Sequence, residues 1–490
     1  MVNKLHNRRL TWSLALLLAS IAALGFLISS NRLYGLGFPL DDAWIHQTYA
    51  RNIVELGEWS YVPGEASGGS TSPLWTIILA IGNVIRVDSR AWAYFIGIVG
   101  LGLLALVGSS WLQERRSGAN GWNWLIIVVL IFEWHLTWAA VSGMETLAIS
   151  LLSLFVFLQL EKKTNELFLG ALVGVGLWLR PGALTLLLPI ALYGFDRHGR
   201  DIRKWIRGMV LVAIGFTLIA LPYLLLNSVV AGSFWPNTFY AKQAEYAILR
   251  EASIILRFAE QLVQPLIGIG IVLLPGIPIA ILSDRKGTTL TRVAPFIWVV
   301  AYLGTYALRL PVTYQHGRYA IPIIPVLLVL GIEGLLRWAD FKSSEFIKRF
   351  FSRTWLVLSL TVLVGFWVVG AGAYAEDVAI IETEMVEPAK WIAVNTEEGS
   401  LIAAHDIGAL GYFGQREILD LAGLISPVVI PFIRDEDRLA DYIDHQGADY
   451  LMTFPGWYPQ LRSIGESIYQ TNGQFSPGAG GENMEIYRWP

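Results

Sequence analysis

Apolar and polar positions divide this chain of 490 residues into two unequal parts. Over the first three quarters, apolar runs recur near 12–29, 73–87, 91–112, 122–140, 144–160, 167–180, 181–195, 208–231, 264–283, 293–310, 320–338 and 354–375. A helix needs roughly 20 apolar residues to cross a bilayer core. The pattern therefore predicts an all-α polytopic membrane domain over 1–375. From 376 to 490 the periodicity is that of a soluble chain. Residues 401–404 and 450–454 read as strands, and 436–445 as a helix. Pro455, Pro459, Pro477 and the glycine-rich stretch 478–481 mark loops. The fold class expected is a helical membrane domain followed by a small α/β domain. Between the first two runs lies a polar stretch, residues 40–75. It opens on Asp41 and Asp42. Ile45, Tyr49, Ile53 and Leu56 then follow at helical spacing, predicting an amphipathic helix suited to the bilayer surface. Gly57, Pro63, Gly64, Gly68 and Gly69 end regular structure.

Composition supports the membrane reading. The chain is 54% hydrophobic and 15% charged, where a soluble protein carries about a quarter charged residues. Its mean hydropathy is +0.51. Cysteine is absent, which excludes disulfides and thiolate metal sites. There is no internal repeat and no basic-aromatic pattern for nucleic acid. Carboxylates and histidines are not spaced as a metal site. No cofactor is therefore implied outright, and a divalent cation held between carboxylates and a phosphate stays open.

The net charge of −3 hides an asymmetry. From Glu376 onward there are about 19 acidic and 6 basic residues, roughly −13, leaving about +10 on the rest. Lys4, Arg8 and Arg9 precede the first run, and no small-residue cleavage site follows it. That run reads as an uncleaved span with a cytoplasmic N-terminus. Arg115/Arg116, Lys162/Lys163, the cluster 197–207, Arg285/Lys286 and Lys348/Arg349 sit in short loops. All can lie inside only if 73–87, which Asn83 interrupts, does not cross. The pattern then predicts about eleven spans. The loops 31–90 and 232–263 and the acidic domain 376–490 fall on the side of the membrane away from the cytoplasm.

Two adjacent carboxylates at the mouth of a membrane helix are costly unless they work or pair. A single Asp would suffice as a helix cap. The wider stretch discriminates. Asp-Asp-Ala-Trp-Ile at 41–45, Tyr-Ala-Arg-Asn at 49–52, Pro-Gly-Glu at 63–65 and Ser-Pro-Leu-Trp at 72–75 stand in this order. Together they resemble the first outer loop of the GT-C glycosyltransferases. The resemblance is to the bacterial branch with mycobacterial arabinofuranosyltransferases and polyprenyl-phosphate-mannose-dependent mannosyltransferases. Five further segments resemble the same family: 236–242, ending in Lys242; Val-Ser-Gly-Met-Glu-Thr at 141–146; Trp-Leu-Arg-Pro-Gly at 178–182; His-Gly-Arg-Tyr at 316–319; and 405–414 with Asp-Leu-Ala-Gly at 420–423. Leu179 stands where the family has Thr, which weakens the match around Arg180.

The resemblance implies specific roles. Asp41 or Asp42 would supply the catalytic base, with Asp41 matching the first acid of the motif. Lys242, Arg318 and Arg180 would bind the donor phosphate. Asn237, Tyr240, Glu145, His46, His405 and Asp406 would contact substrates. Several have plainer alternatives. Lys242 could snorkel to lipid headgroups, and Glu145 could cap a helix. His316 reads as structural, and His405 with Asp406 could form a buried network at a strand end. Glu133 and His135 lie within an apolar run and suggest a buried polar contact.

The activity implied is inverting transfer of a sugar (arabinofuranose, mannose or similar). The donor would be a polyprenyl phosphate, and the acceptor an extracytoplasmic glycan, lipid or protein. A transporter or flippase of lipid-linked sugars is the alternative. It would spread charges through the span centres and pair broken helices in two halves, whereas here the candidate charges crowd one side. A structural protein with a degenerate site would not need the intact Asp pair.

Overall fold

The computed structural model describes residues 2–116, 122–199, 201–283 and 289–490; Arg285 and Lys286 of the basic-loop pattern lie outside these. The chain is a multi-pass membrane protein, helical over most of its length. Helix α1 (Val2–Leu33) buries Ala15, Ala19, Ala22 and Ala23. Leu14, Leu17, Leu24 and Ile28 on its other face are exposed, as suits a lipid-facing surface. Helix α2 (Asp42–Glu55) follows, then the hairpin β1 (Ser60–Val62) and β2 (Glu65–Ala66), then α3 (Pro73–Val84) and α4 (Ser89–Arg115). The residues of α3 number 12, which gives about 18 Å of helix, well short of a bilayer core.

Among the described residues, 5 helices are long and apolar enough to cross a membrane, or up to 7 if each bent pair is one span. Physical breaks explain why fewer continuous spans form than the runs suggested. The run at 122–140 bends by 58° between Asn123–Phe132 and Trp134–Val141. Glu133 sits at this break, accepts the Leu136 N–H at 2.9 Å and pairs with His135 at 2.7 Å. The pair Ile254–Leu266 and Ile269–Leu282 bends by 92°. The helices Thr146–Glu161 and Glu166–Leu179 are apolar but short. Glycine lets Glu166–Leu179 pack backbone to backbone on Ile202–Val230: a Cβ at Gly170 would lie 2.0 Å from the Val212 carbonyl oxygen.

The amphipathic reading of α2 needs correction. Ala43 to Ala50 are all buried, so the helix is enclosed on nearly every side instead of lying on a lipid surface. The cover comes from the C-terminal domain, whose Tyr412 and Phe413 pack on Trp44 with ring centroids 4.9 and 4.7 Å away.

Helix Phe346–Ile381 leaves the bundle and continues through a π-helical turn (Glu382–Val386) into Glu387–Asn395. The chain then forms strands β3 (Leu401–Ala404), β4 (Glu417–Asp420), β5 (Tyr450–Thr453), β6 (Glu466–Gln470) and β7 (Glu485–Arg488). The sheet order is β4-β3-β5-β7-β6, with β3 parallel to β4 and β5, and β7 antiparallel to β5 and β6. Helix Glu436–Gln446 buries Leu439 and Ile443 with Ala403, Leu419 and Leu451 of the sheet. Glu384 of the π turn ties this domain down, accepting the Met484 N–H at 2.9 Å and the Asn483 amide at 3.3 Å.

Candidate active site

Asp41 precedes α2 but does not cap it with its side chain. Its two carboxylate oxygens instead accept the backbone N–H groups of Gly408 and Ala409, both at 2.7 Å. Only glycine permits this approach, since a Cβ at Gly408 would lie 2.1 Å from the Asp41 carbonyl oxygen. Asp42 points elsewhere. One of its oxygens meets Lys242 Nζ at 2.9 Å and an Arg318 guanidinium nitrogen at 2.7 Å. Lys242 is delivered by the helix Asn237–Glu245. Arg318 follows Gln315, His316 and Gly317, all at positive φ (55°, 57° and 61°), a left-handed turn that two non-glycine residues adopt at some cost. His316 is braced by Asp377 at 2.7 Å, and Trp138 donates to that same carboxylate at 2.9 Å.

Two cavities meet at this cluster. The first, about 470 Å³, is lined by Asp42, His46, Glu145, Arg180 and Tyr319, with Leu184, Trp235 and Phe239 as apolar wall. The second, about 780 Å³, lies against the sheet domain and is lined by Asp41, Glu245, His405, Asp406, Trp457 and Tyr458. Asp42, Lys242 and Arg318 line both.

Charge sets the character of each group. Burial pushes Asp42 up, but Lys242 and then Arg318 outweigh it and hold the carboxyl well below the usual carboxylate range. Burial would lower Lys242, yet Asp42 raises it above its ordinary value. Asp41 moves the other way. Burial and the charge of Asp406 raise it above the usual range, and the Gly408 and Ala409 N–H groups offset only part of that. Asp406 is raised by burial, with His405 opposing. Burial disfavours charged His405, but its bond to Glu245 at 3.3 Å raises it.

Of the residues expected at a site, the structure gathers Asp42, Lys242 and Arg318 into direct contact. It places Asp41, His405 and Asp406 on the second cavity, and His46, Glu145 and Arg180 on the first. Arg180 is bound to Glu145 at 2.6 Å. His46 lies 3.8 Å from Glu145 and 3.0 Å from the Thr76 hydroxyl. Asn237 and Tyr240 line neither cavity: Asn237 is buried with its N–H on the Gly68 carbonyl at 3.1 Å, and Tyr240 is exposed. Tyr319, Glu245 and Trp457 were not anticipated. Tyr319 stacks under both Arg318 and Arg180, 5.0 and 5.3 Å from ring centre to guanidinium. Its neighbour Arg318 was the available signal, as Lys242 three residues earlier was for Glu245. Among the described residues no group of three or more His, Cys, Asp or Glu could hold a metal ion. Asp42 is already engaged by two cations.

The architecture is that of the GT-C membrane glycosyltransferases. Three solved structures carry that likeness. ArnT from Cupriavidus metallidurans bound to undecaprenyl phosphate has a TM-score of 0.62 at 14% identity, covering 96% of this chain and 97% of that one. The oligosaccharyltransferase AglB from Archaeoglobus fulgidus, in complex with an inhibitory peptide and a dolichol-phosphate, gives 0.58 at 12% identity, covering 93% and 73%. Arabinofuranosyltransferase AftD from Mycobacteria gives 0.50 at 16% identity, covering 96% of this chain and 41% of that one. A domain of unknown function (DUF8728) matches residues 373–487, from the end of the long helix through the sheet domain. No curated protein matches the sequence.

Proposed function

We propose that this chain is an inverting glycosyltransferase that moves a sugar from a polyprenyl-phosphate donor to an acceptor outside the cytoplasmic membrane. The observation that carries the reading is the ionised cluster of Asp42, Lys242 and Arg318 in the wall between two cavities. The structures of ArnT and AglB hold undecaprenyl phosphate and dolichol-phosphate. A phosphate of that kind would enter the first cavity, with its lipid along Leu184, Trp235 and Phe239. Lys242 and Arg318 would bind it, and Asp42 keeps both cations aimed at the shared wall. The leaving group is then the lipid phosphate, whose charge these cations stabilise as the C1–O bond breaks.

The acceptor would occupy the second cavity, facing Asp41. Its hydroxyl oxygen attacks C1 from the opposite side, and its proton passes to the Asp41 carboxylate. A base works best when its proton affinity is near the working pH, which favours raised Asp41 over depressed Asp42. In this reading the sheet domain lies outside and the N-terminus inside. Reporter fusions after Asp88 and after Glu376 should both report the outside.

The test of function is release of free polyprenyl phosphate by purified protein supplied with polyprenyl-phosphate sugars and candidate acceptors. Asp41→Asn should lower the transfer rate by about 10²–10⁴-fold and leave donor binding intact. A carrier without transferase chemistry would bind donor and release no polyprenyl phosphate with any acceptor. A near-parental rate in Asp41→Asn removes it as base.

A further inference from the structure

The second cavity has a wall that the transfer chemistry alone does not require. Trp457 lines it, yet half of its surface is open, at 50% exposure. Phe454 packs on the same ring at 5.2 Å and His405 meets it edge-on at 5.1 Å. His405 is in turn fixed by Tyr458 at 2.7 Å and by Glu245. Trp457 is therefore a supported flat face open to the cavity.

Opposite charges do not balance here. Asp41, Glu245, Asp406 and Glu436 all line this cavity. Glu436 is held in place by the Gln460 N–H at 2.7 Å and the Leu461 N–H at 3.1 Å. With Asp42 these make five carboxylates against Lys242, Arg318 and Arg434; His405 pairs with Glu245, and in the transferase reading Lys242 and Arg318 are turned to the donor phosphate. An anionic acceptor would face these carboxylates at close range. Among the described residues, neither the Asp406 carboxylate nor the Trp457 indole N–H has a hydrogen-bond partner. One accepts and the other donates, which matches a hydroxyl group that does both. An aromatic face beside free acceptor and donor groups suits a sugar ring, whose C–H face is apolar and whose rim is hydroxylated.

We propose that the second cavity is a subsite for an uncharged saccharide acceptor, stacked on Trp457 and held at its hydroxyls by Asp406. This rests on the transferase reading and narrows it: among glycan, lipid and protein acceptors it selects a neutral glycan. Asp41 then meets the hydroxyl of the stacked sugar, and the rest of the glycan leaves past Trp457.

The experiment uses the full chain purified in detergent, without donor. Saturation-transfer NMR is read for methyl glycosides and disaccharides of mannose and of arabinofuranose, with mannose 6-phosphate as the anionic probe. At least one neutral saccharide should saturate the parent protein, and mannose 6-phosphate should bind more weakly than mannose. Trp457→Ala should weaken the neutral saccharide by about fivefold to tenfold, and Trp457→Phe should regain part of that. Asp406→Asn should weaken it by a few fold. Because Trp457 is half exposed, its variants should fold. Polyprenyl-phosphate binding, measured on the same samples, should be unchanged in both Trp457 variants. The proposal is overturned if no neutral saccharide binds the parent, if Trp457→Ala binds as tightly as the parent, or if mannose 6-phosphate binds better than mannose. Loss of polyprenyl-phosphate binding by the parent would instead remove the transferase reading and leave the saccharide result to stand by itself.

Discussion

At the end of the bundle away from the sheet domain, Arg115 donates to Glu333 at 2.6 Å and to Glu161 at 3.0 Å. Arg337 donates to the other Glu333 oxygen at 2.6 Å, and Tyr193 to Glu161 at 3.0 Å. At the opposite end, Asp42 holds Lys242 and Arg318 at similar distances. Helix α4 separates the two ends with 27 residues, roughly 40 Å. Their ion pairs look alike, but their surroundings do not. The shared carboxylate Glu333 is 0% exposed and Arg115 2%; Arg337 and Glu161 at the rim are 20% and 22% exposed, and a cavity of about 230 Å³ reaches Arg115 and Glu161 but not Glu333. The shared carboxylate at the other end, Asp42, is 24% exposed and faces two cavities of about 470 and 780 Å³, with Lys242 at 20% and Arg318 at 5%. A closed network fixes helices against each other. An open one, with cations already aligned, can exchange its carboxylate for another anion. Distances alone would not separate these cases; room beside the charge does.

The largest expected effect tests that division directly. Glu333→Gln removes a buried negative charge shared by two guanidiniums, which should cost about 3–5 kcal/mol of stability. Its yield of folded protein should drop, while transfer per folded molecule stays near parental. Asp42→Asn should do the reverse: folded protein is recovered, and turnover falls by about 10²-fold as the cations lose their alignment. Quantifying folded protein by size-exclusion alongside the rate decides. Matching behaviour of the two variants would erase the distinction between closed and open networks.

Lys242→Met gives a smaller effect. The stem remains and the ammonium goes. A charged hydrogen bond contributes about 1.5–3 kcal/mol, so affinity for polyprenyl phosphate should fall roughly tenfold or more. Lys242→Arg should restore part of it. If the Met variant binds donor as tightly as the parent, Lys242 only holds Asp42 in place, and Arg318 and Arg180 become the phosphate ligands.

The smallest effect is pH dependence, and it belongs to the open end. Asp41 and Asp406 hold protons more tightly in the folded protein than ordinary carboxyls do. Their contribution to stability is therefore complete below the ordinary carboxylate range and is lost as pH rises through the raised values. Melting temperatures of parent and Asp406→Asn, compared from about pH 4 to pH 8, should diverge by the equivalent of on the order of 1 kcal/mol. The parent should lose more on the alkaline side. Parallel curves would show that the Asp406 carboxyl is not raised in the folded protein.

Much of this was legible in the sequence because several short motifs carry their own spacing. Asp41-Asp42, Lys242 and Arg318 lie far apart in the chain, and each sits in a segment that stands out locally as polar among apolar runs. The strand pattern of β3 and β5 was legible for a similar reason, since Ile402 and Leu451 are buried in short runs. What differs between Asp41 and Asp42 was not legible, because their partners come from residues 242, 318 and 408 and depend on tertiary packing. Helix breaks at Glu133 and Gly268 were hidden inside apolar runs, where hydropathy averages over a single polar or flexible residue. Strands β6 and β7 carry Glu466, Gln470, Glu485 and Arg488, too polar to signal a sheet. Trp457 lies in a loop with Phe454 and Tyr458, where no periodicity announces it.

The long helix that leaves the bundle and ends in the sheet domain has a consequence for angle. The window Phe346–Asn395 runs for 50 residues and passes through a π turn at Glu382–Val386. Along a helix each residue contributes about 100° of rotation and 1.5 Å of rise. One residue inserted within Phe346–Ile381 would swing the sheet domain by about 100° and carry Gly408 and Ala409 off Asp41. A full turn of extra helix would return the azimuth and leave a gap of about 5.4 Å. The second cavity thus depends on rotational phase as well as on side chains, and the length of a single helix works as its setting.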